Sequence, residues 1–141
     1  MRAVTILRVV TKLLIPYILL FALYVQFHGD FGPGGGFQAG VIFAAGIILY
    51  SLVFGLRSAL GVAPPAVLES LFALGVLIYA GTGIATMLMG GNFLDYNALN
   101  HHHPAHGQHW GLLVIEFGVG VAVASGMLLI FFAFAGRERV P

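Results

Sequence analysis

The chain has 141 residues, of which 60% are hydrophobic and 8% charged, and its mean hydropathy is +1.00. A soluble domain carries about 25% charged residues, so this composition excludes a soluble globular protein and indicates an integral membrane protein. The formal net charge is +1, and the absence of cysteine excludes disulfides and cysteine-bound metal or redox centres. We predict a single membrane domain over residues 1–141, with no cofactor.

Four apolar segments are long enough to cross a bilayer as helices, since a hydrocarbon core of about 30 Å needs about 20 helical residues. All six Lys and Arg residues fall on one side: two precede the first segment, Lys12 lies in its first turn, one follows the second segment and two follow the fourth. By the positive-inside rule, this places both termini in the cytoplasm. We therefore predict an all-α integral membrane protein with four transmembrane helices, N-in and C-in. The predicted helices cover residues 9–27, 38–56, 66–89 and 111–135.

The first two predicted helices are joined by a glycine-rich stretch, HGDFGPGGGFQAG, at residues 28–40. Relative to alanine, glycine in a helix costs about 1 kcal/mol and proline about 3 kcal/mol, so the glycines around Pro33 predict an opened backbone. At membrane depth, irregular backbone is stable only where protein or a watery cavity surrounds it. The stretch therefore predicts either a close backbone contact at residues 34–36 or an ordinary interhelical turn at the surface.

Small residues recur along one side of the second predicted helix. Such a face lets another helix approach closely, because the backbones are not held apart by large side chains. We expect a neighbouring helix to pack there. The residues are Gly36, Gly40, Ala44, Ser51 and Gly55.

Three hydroxyl-bearing residues share one face of the third predicted helix, since Tyr79, Thr82 and Thr86 follow Gly75 at spacings of four, three and four. In one interpretation these hydroxyls line a hydrated path. In the other, each Thr bonds back to its own helix and the Tyr bonds to a neighbour.

Glu116 is the most informative polar residue of the chain. On the predicted bounds it lies about 8 to 12 Å from the outer end of the fourth helix, and every Lys and Arg falls on the other side. Intramembrane acids mark ion or proton routes, because a carboxylate there is costly unless protonated, hydrated or paired. The alternative is a protonated Glu116 that hydrogen-bonds a neighbouring subunit. A stripe of small residues on the opposite face predicts that this helix is sandwiched between others.

The connection before the fourth helix is rich in histidine. Histidine titrates near pH 6.5, at about the physiological range, and binds zinc through a neutral ring nitrogen. Three interpretations of this loop are open: a proton-collecting surface, a pH sensor, and a plain solvated loop beside Trp110. Three consecutive histidines point in different directions, so we predict no metal site. The histidines are His101, His102, His103, His106 and His109.

Several function classes are excluded by what the sequence lacks. It contains no P-loop, no supported Ser-His-Asp arrangement and no basic patch for nucleic acid. It also lacks the repeated halves and midplane polar sites of a complete ion-coupled transporter. We therefore predict part of a larger membrane complex, and neither an enzyme nor a nucleic-acid-binding protein.

The stretch FHGDFGPGGGFQAG at residues 27–40, followed by VIFAAGIILY, resembles the signature of the B-type small subunits of the Mrp-type multisubunit cation/proton antiporters, also called Mnh or Pha. The resemblance extends over essentially the whole chain. Ala39 departs from it, because many relatives are expected to carry glycine there. The resemblance marks motif positions without assigning them a chemical role. These are Pro33, Gly34, Gly35, Gly36, Phe37 and Gln38.

The resemblance implies an accessory subunit of a complex in the bacterial or archaeal plasma membrane that exchanges cytoplasmic Na⁺, or in some members K⁺, for external H⁺. Its partners would be the other subunits of the complex and the lipid bilayer. We expect residues 34–36 to contact a partner subunit, with Glu116 as our own candidate for part of an ion path. Two alternatives are an antiporter-like subunit of an energy-converting membrane hydrogenase or related oxidoreductase, and a non-transporting membrane scaffold or pH sensor.

Overall fold

A computed structural model describes residues 2–29, 34–99 and 104–137, and this part of the chain is helical. Four of its helices, α1, α2, α4 and α5, are long and apolar enough to cross a membrane. This confirms the predicted all-helical architecture with four candidate membrane-spanning helices. The elements are α1 (Arg2–His28), α2 (Gly36–Phe54), α3 (Leu56–Val62), α4 (Pro65–Leu88), a 3-10 helix (Tyr96–Leu99) and α5 (Pro104–Ala135).

The helices extend beyond the apolar segments at several ends. The first helix begins at Arg2 and continues through Pro16, and the last begins at Pro104 instead of near residue 111. Hydropathy marks only the apolar part of a helix, whereas the backbone hydrogen bonds continue into polar residues until the chain turns. Proline at the first position of α5 is favourable, because its missing N–H would have no intrahelical acceptor.

The connection predicted between the second and third membrane helices contains a helix of its own, α3. Gly55 adopts φ 95°, which ends α2 before α3 begins at Leu56. Glycine accepts this backbone conformation without a steric penalty. Gly55 is therefore a breakpoint between two helices, and it does not extend the small-residue face of α2.

The membrane helices pack in a row in the order α1, α2, α5 and α4. Each helix contacts mainly its neighbour in the row, so α5 lies between α2 and α4, as predicted from its small residues. We call the end of the bundle at His28 and Gly36 the glycine-loop end, and the opposite end the α3 end.

Small residues bring the helices of the row close together. A Cβ added to Gly40 would lie 2.6 Å from the carbonyl oxygen of Gly120 on α5. A Cβ added to Gly75 on α4 would lie 2.6 Å from the carbonyl oxygen of Gly118. Both distances are shorter than real side chains tolerate. The predicted small face of α2 is thus the surface that takes α5, and its buried members are Gly36, Gly40, Ala44 and Ser51.

At the α3 end, α3 and the start of α4 cover the apolar core. The buried residues there are contributed by α2, α3, α4 and α5 together with the turn at Ala63. This core anchors the α3 end, while the glycine-loop end is built largely from glycine and polar contacts. The core residues are Ala44, Ala59, Ala63, Leu68, Leu128 and Phe132.

Candidate functional site at the glycine loop and Glu116

The described part of the glycine loop folds back onto the end of α1. The Gly35 N–H donates a hydrogen bond to the carbonyl oxygen of Val25 (3.3 Å), and the Gly35 carbonyl accepts one from the N–H of Ala39 (3.1 Å). Gly35 precedes α2 with φ 129°, a conformation that disfavours other residue types. A Cβ on Gly34 would lie 2.9 Å from the Val25 carbonyl oxygen. Glycine at these positions therefore lets the loop close tightly.

The side chain of Glu116, on α5, occupies the space that glycine leaves open in this turn. A Cβ added to Gly29 would lie 2.6 Å from Glu116 Oε2 and 2.7 Å from Oε1. A Cβ added to Gly35 would lie 3.1 Å from Oε1. The carboxylate thus lies between the last turn of α1 and the start of α2. A side chain at either glycine would displace the carboxylate from this position.

The backbones of α2 and α5 meet at the same level. A Cβ added to Gly36 would collide with the Glu116 carbonyl oxygen, and it would lie 2.9 Å from the Glu116 Cα. The first residue of α2 therefore lies directly against the backbone of α5. We call Glu116 and the three glycines around it, Gly29, Gly35 and Gly36, the Glu116 site.

The electrostatic environment of this site favours negative charge. The first N–H groups of a helix have no intrahelical acceptor, and the helix dipole places a partial positive charge there. The Glu116 carboxylate lies beside Gly35, which caps α2. The start of α2 therefore provides an environment that favours a carboxylate at this position.

Glu116 is half-buried and lies level with the first residue of α2. It also lies about 18 Å along α5 from Pro104, at a rise of about 1.5 Å per residue. Its depth within α5 is therefore greater than the sequence predicted, because α5 begins earlier. Relative to α1 and α2, however, Glu116 lies near the helix ends, because α1 ends and α2 begins beside it.

The structure brings Gly34, Gly35 and Gly36 together with Glu116, in contact with α1 and α5 of the same chain. Phe37 is 63% exposed, and Gln38 is exposed beside it. Residues 34–38 and Glu116 line a cavity of about 320 Å³ with Ile115 and Val119. Pro33, which belongs to the same motif, lies outside the described residues.

The hydroxyl-bearing face of α4 lies on the other side of α5 from the Glu116 site. Thr82 Oγ1 donates a hydrogen bond to the Ile78 carbonyl of its own helix (2.8 Å). Tyr79 is 39% exposed. Because α4 and α2 contact opposite sides of α5, the structure does not bring Tyr79, Thr82 or Thr86 together with Glu116.

Thr86 is fully buried and organises the connection that follows α4. Its hydroxyl lies 2.8 Å from the Gly83 carbonyl oxygen and 3.1 Å from that of Asn92, and it accepts a hydrogen bond from the Leu94 N–H (3.0 Å). Leu94 has φ 63°, a strained conformation for leucine. These contacts correspond to the second interpretation of the threonine face, in which hydroxyls satisfy nearby backbone groups.

Two further polar residues at this end are Tyr96, in the connection between α4 and α5, and His109, in the first turns of α5. Tyr96 packs against Gly111, and partial burial raises the pKa of its phenol, with a smaller contribution from Tyr79. His109 is exposed, with its ring edge-on to Trp110 at 6.1 Å between ring centroids. His101, His102 and His103 lie outside the described residues.

Sequence reasoning overlooked three residues around the site. Gly29 was not recognised as a contact of Glu116, and Gln26 and Gly120 were not recognised as contacts of each other. A Cβ on Gly120 would lie 2.6 Å from Gln26 Oε1. The spacing of four places Glu116 and Gly120 on one face of α5, and Gly36 and Gly40 on one face of α2. It does not by itself show that the two faces meet.

The structure thus describes a helical membrane protein in which a glycine loop between two candidate spans closes on a carboxylate of the last span. The family described as "Domain related to MnhB subunit of Na+/H+ antiporter" matches residues 6–129. The chain belongs to this MnhB family, which confirms the resemblance seen in the glycine-rich motif.

Relatives agree with this assignment along nearly their whole length. The chain is 33% identical over 135 residues to a protein of Staphylococcus haemolyticus named antiporter subunit mnhB2, covering 94% of this chain and 95% of the relative. It is 32% identical over 133 residues to the mnhB2 protein of Staphylococcus aureus strain Newman, covering 93% and 94%. Proteins named in this way are parts of transporters and not enzymes.

Proposed function

We propose that this chain is an accessory subunit of a multisubunit antiporter that exchanges Na⁺ for H⁺ across a bacterial or archaeal plasma membrane. Family membership supports the subunit role, and the relatives' names supply the antiporter. The described Lys and Arg side chains lie toward the α3 end or beyond it, at Arg8, Lys12, Arg57 and Arg137. By the positive-inside rule, this favours a cytoplasmic α3 end and an external glycine-loop end.

The Glu116 site is the observation that carries our proposal for the subunit's role. Its carboxylate holds the end of α1 and the start of α2 against α5, and this fixes the loop that follows α1. Residues 34–36 make their described contacts within the chain, whereas Phe37 and Gln38 point outward beside them. We therefore assign the contact with a partner subunit to Phe37 and Gln38, presented by a rigid glycine turn.

A second role for Glu116 is supported by the cavity of about 320 Å³ that it lines. A half-buried carboxylate at the mouth of a cavity is able to carry a proton or to attract Na⁺ or K⁺. In this role Glu116 belongs to the outer part of an ion path. The path would not pass along Tyr79, Thr82 and Thr86, because these lie across α5 and two of their hydroxyls are engaged with backbone.

Two substitutions of Glu116 separate the two roles. Glu116→Gln keeps the shape and hydrogen-bonding capacity of the side chain but removes the negative charge, whereas Glu116→Ala removes both. If Glu116 only holds the loop, Glu116→Gln retains most of the assembled complex and its antiport, and Glu116→Ala loses both. The measurements are recovery of the complex through a tag on this chain and Na⁺-dependent proton exchange in everted vesicles.

Normal assembly with slow exchange in Glu116→Gln identifies the ion-path role. Glu116→Gln then assembles normally but exchanges at least tenfold more slowly, because no titratable group remains at this position. Normal assembly and normal exchange of Glu116→Ala would contradict both roles.

A further inference from the structure

The row of four membrane helices leaves a long groove on one face. This groove has a volume of about 680 Å³ and is lined by all four helices together with the turn before α4. Because α1 contacts α2 and α4 contacts α5 at the two ends of the row, α1 and α4 form its walls and α2 and α5 form its floor. The lining of α1 runs from Ile15 to Gln26, which corresponds to about 16 Å of helix.

The groove contains an amide that has no hydrogen-bonding partner in the described part of the chain. The Gln26 residue is 8% exposed and lines the groove, and its amide atoms are not sealed off from it. Its Oε1 lies against Gly120, yet among the described residues its side chain makes no hydrogen bond. The Ser125 hydroxyl, which also lines the groove, donates to the Val121 carbonyl oxygen (2.6 Å) and is satisfied. Gln26 is therefore a polar group without a hydrogen-bonding partner among residues 2–29, 34–99 and 104–137.

We propose that a transmembrane helix of another antiporter subunit fills this groove and hydrogen-bonds the Gln26 amide. A hydrocarbon tail has no group that satisfies an amide, whereas a Ser, Thr, Asn or Gln on a packed helix does. The floor of the groove is mixed. Beside Gln26 it includes the small residues Ala39, Gly40, Gly120 and Ala124, where a helix is able to approach closely, and larger apolar side chains such as Phe43, Ile47 and Leu128 line the rest.

The packing of α1 also favours a protein occupant. Although α1 packs along α2, only 11% of its most apolar window is buried within the chain, so most of its surface is open to a neighbour. An incoming helix would contact α1 and α4 at once and complete a five-helix arrangement. This inference rests on the proposed function, because the helix comes from the same complex.

The first test identifies what lies in the groove of the intact complex. Leu71, on the α4 wall, is replaced by the photoreactive residue p-benzoylphenylalanine, and Leu77, which is 66% exposed on the same helix and does not line the groove, is the control. We expect cross-links from position 71 to map by mass spectrometry to one apolar segment of another antiporter subunit, and position 77 not to label that segment. Adducts of position 71 with phospholipid alone would overturn the inference.

The second test changes the Gln26 side-chain amide. Gln26→Leu keeps the approximate size of the side chain and removes its hydrogen bonds, so retention of the cross-linked subunit should fall roughly threefold. Gln26→Asn keeps an amide and should retain more of that subunit than Gln26→Leu does. Equal or greater retention in Gln26→Leu would overturn the inference, since an apolar occupant favours leucine.

The proposed function and the groove inference are contradicted by different results. If the tagged wild-type chain purifies without any antiporter subunit, the proposed function is wrong. If antiporter subunits accompany it while position 71 labels only lipid, the subunit role stands and the groove inference alone is wrong.

Discussion

Two connections meet at the glycine-loop end, and they are built in opposite ways. Between α1 and α2, the glycines at positions 29 and 35 leave room for Glu116 from α5 to enter beside them. The connection after α4 instead gathers around one side chain, the buried Thr86 hydroxyl. The first depends on a residue far away in the chain, and the second on one only a few residues away. Comparing them shows that a tight turn is secured either by making room for a distant group or by satisfying its own backbone.

The largest expected effect comes from adding a side chain where α2 meets α5. Gly36→Ala places a Cβ against the Glu116 carbonyl oxygen, and overpacking of this kind costs about 1–3 kcal/mol or more. We expect recovery of the antiporter complex to fall below one tenth of wild type. Gly81→Ala is the control, because nothing lies within 4 Å of a Cβ there. Equal recovery of both variants would show that α2 and α5 do not meet at Gly36.

A smaller effect is expected from the two left-handed glycines, one in each connection. Gly35 has φ 129° and Gly90 has φ 89°, but a Cβ lies 3.1 Å from Glu116 Oε1 only at Gly35. Both alanine variants carry backbone strain of about 1–3 kcal/mol, and Gly35→Ala also displaces the carboxylate. We expect Gly35→Ala to lower the thermal stability of the purified complex more than Gly90→Ala.

The Gly35 comparison has an internal check. In a Glu116→Ala background, the extra loss of Gly35→Ala should disappear, because the steric conflict with the carboxylate is gone. Persistence of the full difference in that background would mean that Glu116 does not occupy the turn.

The role of Thr86 in the connection after α4 is tested by a matched pair of substitutions on α4. Thr86→Val leaves the Leu94 N–H without its acceptor and releases a strained backbone, at a cost of about 1–3 kcal/mol. Thr82→Val removes only a bond to its own helix. We expect faster proteolysis in the region of residues 89–99 for Thr86→Val and wild-type behaviour for Thr82→Val. Equal proteolysis of both would remove the assigned role of Thr86.

The smallest effect concerns Tyr96. Partial burial raises the pKa of its phenol above the ordinary value of 10.0, so ionisation is less favourable in the folded state than in the unfolded one. This contribution is fully present below the unfolded pKa and is lost as the pH rises through the folded one. Tyr96→Phe should therefore match wild type at neutral pH and lose slightly less thermal stability above about pH 10. An identical alkaline decline in both proteins would contradict this.

Several features of the fold follow from local rules that a sequence displays directly. The four candidate spans were predictable because a bilayer demands long apolar helices. The break after His28 was predictable because consecutive glycines and a proline do not propagate a helix. The position of α5 between two helices was predictable from small residues on opposite faces.

Other features of the site were not predictable, because they depend on residues far apart in the chain. Glu116 of the same chain contacts the glycine turn, a contact that the motif alone did not indicate; the predicted contact of residues 34–36 with another subunit stays a prediction. Thr86 appeared as part of a hydroxyl-bearing face, yet its contacts are with a connection whose path no periodicity describes. The helix α3 was missed because a single glycine with a left-handed φ, Gly55, divides it from α2.

The sequence by itself determined that the chain is a helical membrane protein of this family, since composition, hydropathy and a glycine motif are properties of the chain read in order. Only the tertiary structure decided that Gly29, Gly35 and Gly36 surround Glu116, and that Gln26 lines an apolar groove without a hydrogen bond to any described residue. The physical reason is that a missing side chain has meaning only through what occupies its space, and the occupant comes from another helix.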